Sequence, residues 1–439
     1  MTNEKPADHD VSGLSLDEQV SLLSGADFWR TRALPERGIP QAMLSDGPHG
    51  IRAQQNGGDH LGLASSTLST CFPTAVTTAA SWNLALLEEV GAAVGREARA
   101  LGIDVVLGPG LNLKRHPLCG RNFEYSSEDP LLAGTFAAAS VRGIQSTGVG
   151  ACLKHFAVNN QEHRRFVIDA IVDERTLREL YLRGFERAVK QSSPATVMAA
   201  YNLVNGEHAT DSRELLTTIL RSEWGFEGLV MSDWGAEADR VAGIAAGMDL
   251  EMPGGAGTEP LVHAAVDERR LSIVDVARSA GRVAALARRA ERARTAAPIE
   301  TMDALLEPHD ALARRAAAAS AVVLRNEGAL PLARESRMAL IGAFAETPRY
   351  QGSGSSLVTP TRLTTVREAL AAAGVEVTYA RGYDLGSSGA GSATDAAPLA
   401  EAVAAARDAE VAVVMVGLPP TAESEGFDRD TLELPEQHN

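Results

Sequence analysis

Apolar positions between Gln41 and Gly255 fall into short runs at Met43–Ser45, Asp104–Leu107, Gly150–Leu153, Thr196–Ala200, Leu229–Ser232 and Met248–Glu251. None alternates strictly, which is the pattern of strands covered on both faces. Stretches of helical period lie between them. Asp173–Gln191 carries Leu177, Leu180, Tyr181, Phe185, Ala188 and Val189 at helical spacing. Another helix is predicted from Asp211, with Glu214 three residues on as in a capping box. It should bury Leu215, Leu216, Ile219 and Leu220 and end before Gly225. Such alternation predicts α/β architecture, either a (β/α)8 barrel or an open doubly wound sheet. An open sheet that binds nucleotides would carry a glycine-rich first turn, and neither G-x-G-x-x-G nor G-x-x-x-x-G-K occurs. The barrel is the expected fold.

The pattern then changes. Arg269–Thr295 is an Ala/Arg-rich amphipathic helix, expected on the outside of the barrel. Ala296–Asp310, with Pro298 and Pro308, is expected to be a linker, and Ala311–Arg325 a helix running into a strand. Strands are predicted at Met338–Ala343, Val375–Ala380 and Glu410–Gly417, with a helix at Ala396–Ala406 and a Gly/Ser-rich loop at Gly386–Gly391. The expected division is a barrel over residues 12–295, a linker with the first helix and strand of a second domain over 296–335, and a partial α/β sandwich over 336–439.

Composition narrows the classes. Of 439 residues, 45% are hydrophobic and 22% charged, which excludes a disordered or fibrous chain. No apolar run approaches the ~18 residues of a spanning helix. The polar start Met1–Asp10 lacks a signal-peptide core, which implies the cytoplasm. Cys71, Cys119 and Cys152 are too few and scattered for a disulfide framework or metal knuckle. A net charge of −16 argues against nucleic acid or an anionic membrane as partner. A neutral small substrate fits, with no cofactor or metal expected.

Polar residues at barrel strand ends gather around one mouth, where chemistry is done. Here the run ends carry Asp46, Lys154, His155, Tyr201 and Asp233. Taken singly, Asp46 before Gly47-Pro48 is a turn former, His155 a core histidine and Asp233 a helix cap. Four of six ends being polar in the same sense outweighs those explanations. Asp233 would share the mouth with Lys154, His155, Arg121 and Arg165, whose charges should keep it ionised. A second acidic cluster, Glu423-Ser-Glu425-Gly-Phe-Asp428-Arg429-Asp430, lies in the far unit, where acidic neighbours should raise one carboxyl for proton donation. Taken alone, this cluster reads as a solvated loop. Two carboxyls in opposed environments are what glycosidic cleavage requires. The main rival is a Schiff-base lysine, Lys154, which gives the acidic loop no purpose. Metal and serine-nucleophile signatures are weaker: Glu162-His163 lacks the first histidine of H-x-x-E-H, and no G-x-S-x-G occurs.

Together these stretches resemble glycoside hydrolase family 3, in its β-glucosidase branch. The matching segments are SDGPHGIR (45–52), CFPTAV (71–76), LGPGLNLKRHPLCGRNFEYSSEDP (107–130), KHFAVNNQEHRR (154–165), VMAAYNLVNG (197–206), GFEGLVMSDWGA (225–236), VVLRNEGALPL (322–332), QGSGSS (351–356) and ESEGFDR (423–429). The resemblance implies a (β/α)8 barrel followed by an α/β sandwich, with the site at their junction. It implies Asp233 as nucleophile, and Asp46, Arg121, Lys154, His155, Arg165 and Tyr201 as residues hydrogen-bonding the sugar. Met198 and Trp234 become the apolar walls, Ser355 the serine of a glycine-rich loop, and Glu425, with Glu423 the alternative, the acid/base. The implied activity is exo-acting, retaining release of terminal β-D-glucose. The alternatives are a β-xylosidase or α-L-arabinosidase of the same family, or a silent sugar-binding protein. Ala157-Val158-Asn159 stands where the family's β-N-acetylglucosaminidases carry glycine-histidine. Ser126 stands where many relatives have an aromatic residue. Relatives with this order of motifs continue past the acid/base loop, so the second domain is expected to be cut short at Asn439.

Overall fold

The computed structural model describes residues 6–54, 58, 65–254, 257–385 and 396–434. The predicted loop Gly386–Gly391 lies outside them. Five strands, β1 (Leu44–Asp46), β2 (Val105–Leu107), β3 (Gly150–Phe156), β4 (Thr196–Ala199) and β5 (Leu229–Ser232), form a curled parallel sheet in chain order. Its register pairs Leu44 with Val105, Val105 with Gly150, Cys152 with Thr196 and Thr196 with Leu229. Every residue of these strands is buried. Successive side chains serve opposite faces: Val106, Leu153, Val197 and Val230 join one apolar cluster, and Val105, Cys152, Met198 and Met231 the other. Buried on both faces, the strands have no reason to alternate apolar with polar, which is why the runs were legible.

Among the described residues, ladders join these five strands, not eight. Met248–Glu251 makes single parallel bridges, Leu250 to Met231 and Glu251 to Ser24, its backbone bonding Val230 and Ser232 on one side and Leu23 and Gly25 on the other without extending into a ladder. Helices α1 (Leu84–Ala100) and α2 (Pro130–Ser146) pack so closely that a Cβ at Gly143 would lie 2.1 Å from the Glu88 carbonyl. The predicted helix 173–191 is interrupted by a π turn at Leu177–Tyr181 before α3 (Arg183–Ser192). That wider turn rotates the helix face, leaving Leu177 and Phe185 buried but Leu180 exposed. Helix α4 (Glu214–Glu223) is π-helical and buries the predicted Leu215, Leu216, Ile219 and Leu220. The capping box does not form, because the helix begins only at Glu214 with Arg213 at its N-cap, which leaves Asp211 outside the capping position, its carboxylate on the Thr210 hydroxyl.

Helix α5 (Ile273–Ala296) is amphipathic as expected, and its arginines are spent on acidic partners: Arg282 on Asp249, Arg292 on Asp8 and Arg294 on Asp104. The predicted linker is largely a helix, α6 (Met302–Ala319), with Pro308 inside it. Its Leu312 and Ala316 pack into the first unit's core, and that burial outweighs the proline's cost. Val322–Leu324, predicted as the start of a strand, pairs with no strand among the described residues and is exposed.

The second unit carries β6 (Met338–Ile341), β7 (Val377–Ala380) and β8 (Val411–Val414), parallel in the order β7-β6-β8. Helix α7 (Ala396–Asp408) covers one face through Ala402 and Ala405 against Ala339, Ile341 and Ala380. A two-residue parallel pairing of Thr359–Pro360 with Leu68–Ser69 ties the units together. Among the described residues, no helix is long and apolar enough to cross a membrane.

Candidate active site

The C-terminal ends of the first sheet meet the loops of the second unit at a small cavity. Trp29, Asp46, Arg121, Lys154, His155, Met198, Asp233, Trp234, Ser355 and Glu425 line it. Asp46 ends β1, Lys154 and His155 belong to β3, and Asp233 follows β5. Asp233 Oδ1 accepts the Trp234 backbone N–H at 2.8 Å. Asp233 caps no helix; the next one is capped by Asp239. Its Oδ2 is buried without a hydrogen-bond partner among protein groups, 3.6 Å from His155 Nε2. His155 is not a core histidine bonded to a carbonyl through its ring, since Nδ1 faces the Tyr125 hydroxyl at 3.1 Å.

The cations form a frame with carboxylates that sequence reasoning missed. Arg121 pairs with Glu124 at 2.8 Å, Lys154 Nζ lies 3.2 Å from Glu124 and 3.8 Å from Asp46, and Arg165 pairs with Glu162 at 2.7 Å. Both arginines thus carry a carboxylate three residues away in sequence, Arg121–Glu124 and Glu162–Arg165, a spacing that offered a signal. Trp29, also missed, packs 5.4 Å from Trp234, whose indole N–H donates to the Phe28 carbonyl at 2.8 Å. Arg165 stacks on the Tyr201 ring at 4.5 Å, and the Tyr201 hydroxyl donates to the Trp234 carbonyl at 3.0 Å. Arg165 and Tyr201 therefore brace the cavity from its border.

From the second unit, Glu425 Oε1 takes Arg165 Nη1 at 2.8 Å and lies 3.6 Å from Arg121 Nη1, while Oε2 accepts the Ser355 N–H at 2.7 Å. Glu423 pairs with Arg349 at 2.8 Å and does not line the cavity. The charge states differ from expectation. Burial pushes Asp233 up, against the pull of Arg165 and Arg121. Burial also acts on Glu425, but Arg121, Arg165 and Ser355 outweigh it and hold that carboxyl well below the usual range. The acidic neighbours in Glu425's own loop do not set its charge, because the carboxyl reaches across to the first unit's arginines. Burial raises Asp46 to about 7. Burial lowers His155, with Arg121, Lys154 and Arg165 adding to it. Lys154 is raised because Glu124 and Asp46 outweigh its burial. Nor does Lys154, so charged, suit Schiff-base chemistry, which needs a free amine.

The cavity is thus buried and polar, sits at the ends of the first sheet, and is closed by a carboxylate from the second unit. Residues 37–286 match the glycosyl hydrolase family 3 N terminal domain and residues 321–439 its C-terminal domain. The chain belongs to glycosyl hydrolase family 3. It is 48% identical to thermostable beta-glucosidase B of Acetivibrio thermocellus over 98% of this chain and 56% of that one. It is 44% identical to an exo-alpha-(1->6)-L-arabinopyranosidase of Bifidobacterium breve over 97% and 56%. A solved beta-glucosidase of Bifidobacterium adolescentis superposes with a TM-score of 0.90 at 44% identity, covering 98% of this chain and 60% of that one. Beta-glucosidase 3B of Thermotoga neapolitana, solved with glucose, superposes at 0.85 and 35% identity, covering 97% and 65%. The chain thus spans little more than half the length of the curated relatives it matches.

Proposed function

We propose that this chain carries the site of an exo-acting, retaining β-glucosidase that releases terminal β-D-glucose through a glycosyl-aspartate. The observation that carries it is the pairing of Asp233, with a buried oxygen free of protein partners, and Glu425, delivered by the second unit to the same cavity. Asp233 attacks the anomeric carbon. Glu425 protonates the leaving oxygen and then activates water. Asp46, Arg121, Lys154, His155, Arg165 and Tyr201 receive or brace the sugar hydroxyls, Ser355 faces the ring, and Met198 and Trp234 wall its apolar face. The first step needs a proton on Glu425, so an entering glucoside must loosen its pairing with Arg165.

Parallel bridges at Leu250–Met231 and Glu251–Ser24 and an antiparallel one at Arg30–Met43 carry contact from β5 back towards β1, which supports reading the curled sheet as part of a closed barrel. Residues 12–295 then form that barrel, 296–335 the connection and 336–439 the sandwich unit. Incubation with a 2-deoxy-2-fluoro-β-glucoside bearing a good leaving group should label Asp233, and the first-formed product should be the β-anomer by proton NMR. A label elsewhere, or an α-anomer, refutes the mechanism. The arabinopyranosidase relative favours a second reading, a pocket for pentopyranosides. A panel of nitrophenyl glycosides decides between them.

A further inference from the structure

Asp428 lies three residues beyond Glu425 and does not line the cavity. Its Oδ1 accepts the backbone N–H groups of Gly120 and Glu162, each at 2.9 Å, and its Oδ2 accepts that of His163 at 3.0 Å. Three main-chain donors of the first unit converge on one side chain of the second. Beside it, Arg429 N–H donates to the Leu118 carbonyl at 2.8 Å, and Gly426 N–H to Glu162 Oε2 at 2.9 Å. The Arg165 Nη1 that holds Glu425 is itself held by Glu162 Oε2. Asp428 therefore fixes the backbone of Glu162, and Glu162 orients the arginine that grips Glu425. The approach is tight, because a Cβ at Gly120 would fall 1.8 Å from the Phe427 carbonyl oxygen and 2.3 Å from that of Ser424. An ionised carboxylate is acceptor-only and suits three donors, whereas an amide turns one end into a donor.

We infer that Asp428 is a positioning residue, a latch that seats the 424–429 loop on the first unit and so places Glu425 against the leaving-group oxygen. This rests on reading Glu425 as the acid/base.

The experiment compares the wild-type chain with Asp428→Asn, Gly120→Ala and Glu425→Ala on cellobiose and on 2,4-dinitrophenyl β-glucoside, with and without azide. A small misplacement of a catalytic group costs on the order of 10²-fold. Asp428→Asn should lose about that much kcat/KM on cellobiose and far less on the activated glucoside. Azide should restore part of its turnover with formation of β-glucosyl azide. A side chain that only stabilises the fold would lower both substrates together, with no azide effect. Proportional loss on both substrates, or no loss, overturns the latch. Gly120→Ala pushes the same loop from the other side and should repeat the pattern; if Asp428→Asn does not fold, it decides alone. If Glu425→Ala itself shows no dependence on leaving group, the acid/base reading falls and the latch with it. If Glu425→Ala shows that dependence and Asp428→Asn does not, the latch alone falls.

Discussion

The two carboxylates of the cavity reach it by different routes. Asp233 follows β5, a strand buried at every residue and clamped between two apolar clusters. Glu425 hangs on a loop beyond β8, an edge strand whose residues are alternately half-buried and exposed, with Val414 and Val416 open to solvent. The first is placed by packing. The second is placed by polar contacts to the other unit: Arg165, Arg121 and Ser355 on its carboxylate, and Asp428 behind it. Packing fixes a position through many apolar contacts at once, whereas the Glu425 pairs are few and could be exchanged for other polar partners. Asp233 is thus the fixed half of the site and Glu425 the adaptable half, and burial and pairing move their charge states in opposite directions.

The sharpest way to break this comparison is Asp233→Asn. It should abolish turnover by about 10⁴-fold or more on every substrate, the scale on which losing a nucleophile is felt. Glucose binding by calorimetry should survive, since the cationic frame is untouched. A variant that still turns over activated glucosides would move the nucleophile elsewhere. Next, Glu425→Ala should slow poor leaving groups by roughly 10²–10⁴-fold and activated ones less, with azide restoring turnover. The same pattern from Glu423→Ala in place of Glu425→Ala would reverse the assignment.

Third, Glu124→Ala tests how far packing and charge jointly set the fixed half. It leaves Arg121 and Lys154 buried without their shared carboxylate, and breaking such a pair costs about 3–5 kcal/mol. Urea denaturation reads this directly; a loss below about 1 kcal/mol, the ceiling for exposed pairs, would show that the frame is solvated. The last effect is one of pH. Burial holds the Asp46 carboxyl at about 7, above its unfolded value near 3.8. The native state therefore binds that proton more tightly, and the stability it contributes is full below about pH 4 and lost as pH rises through about 7. The stability difference between wild type and Asp46→Asn should move against wild type across that window. A flat or opposite trend would mean that Lys154 and Arg52 keep Asp46 ionised.

Much of the fixed half was legible in the sequence, and less of the adaptable half. Asp46, Lys154, His155 and Asp233 were placed because they stand at or beside the ends of apolar runs, and a strand's end is a local property. Glu124 and Glu162 were missed because a carboxylate three residues from an arginine is common on solvated surfaces. Only burial shows that these two are structural. The charge of Glu425 was misjudged because the sequence shows its acidic neighbours in the loop, while the arginines that govern it lie about 260 and 300 residues away.

By itself, the amino-acid order determined the five buried strands of the first sheet, the inward face of Glu214–Glu223 and the short polar motifs that end the strands. Those depend on side chains within a few residues of one another. Only the tertiary structure decided that Met248–Glu251 bridges its neighbours without a ladder, that residues 302–310 of the expected linker join the helix running to Ala319, and that Glu425 rather than Glu423 enters the cavity. Each of these is settled by burial or pairing between segments far apart in the chain. The energies of such contacts exceed local propensity and have no counterpart in local sequence.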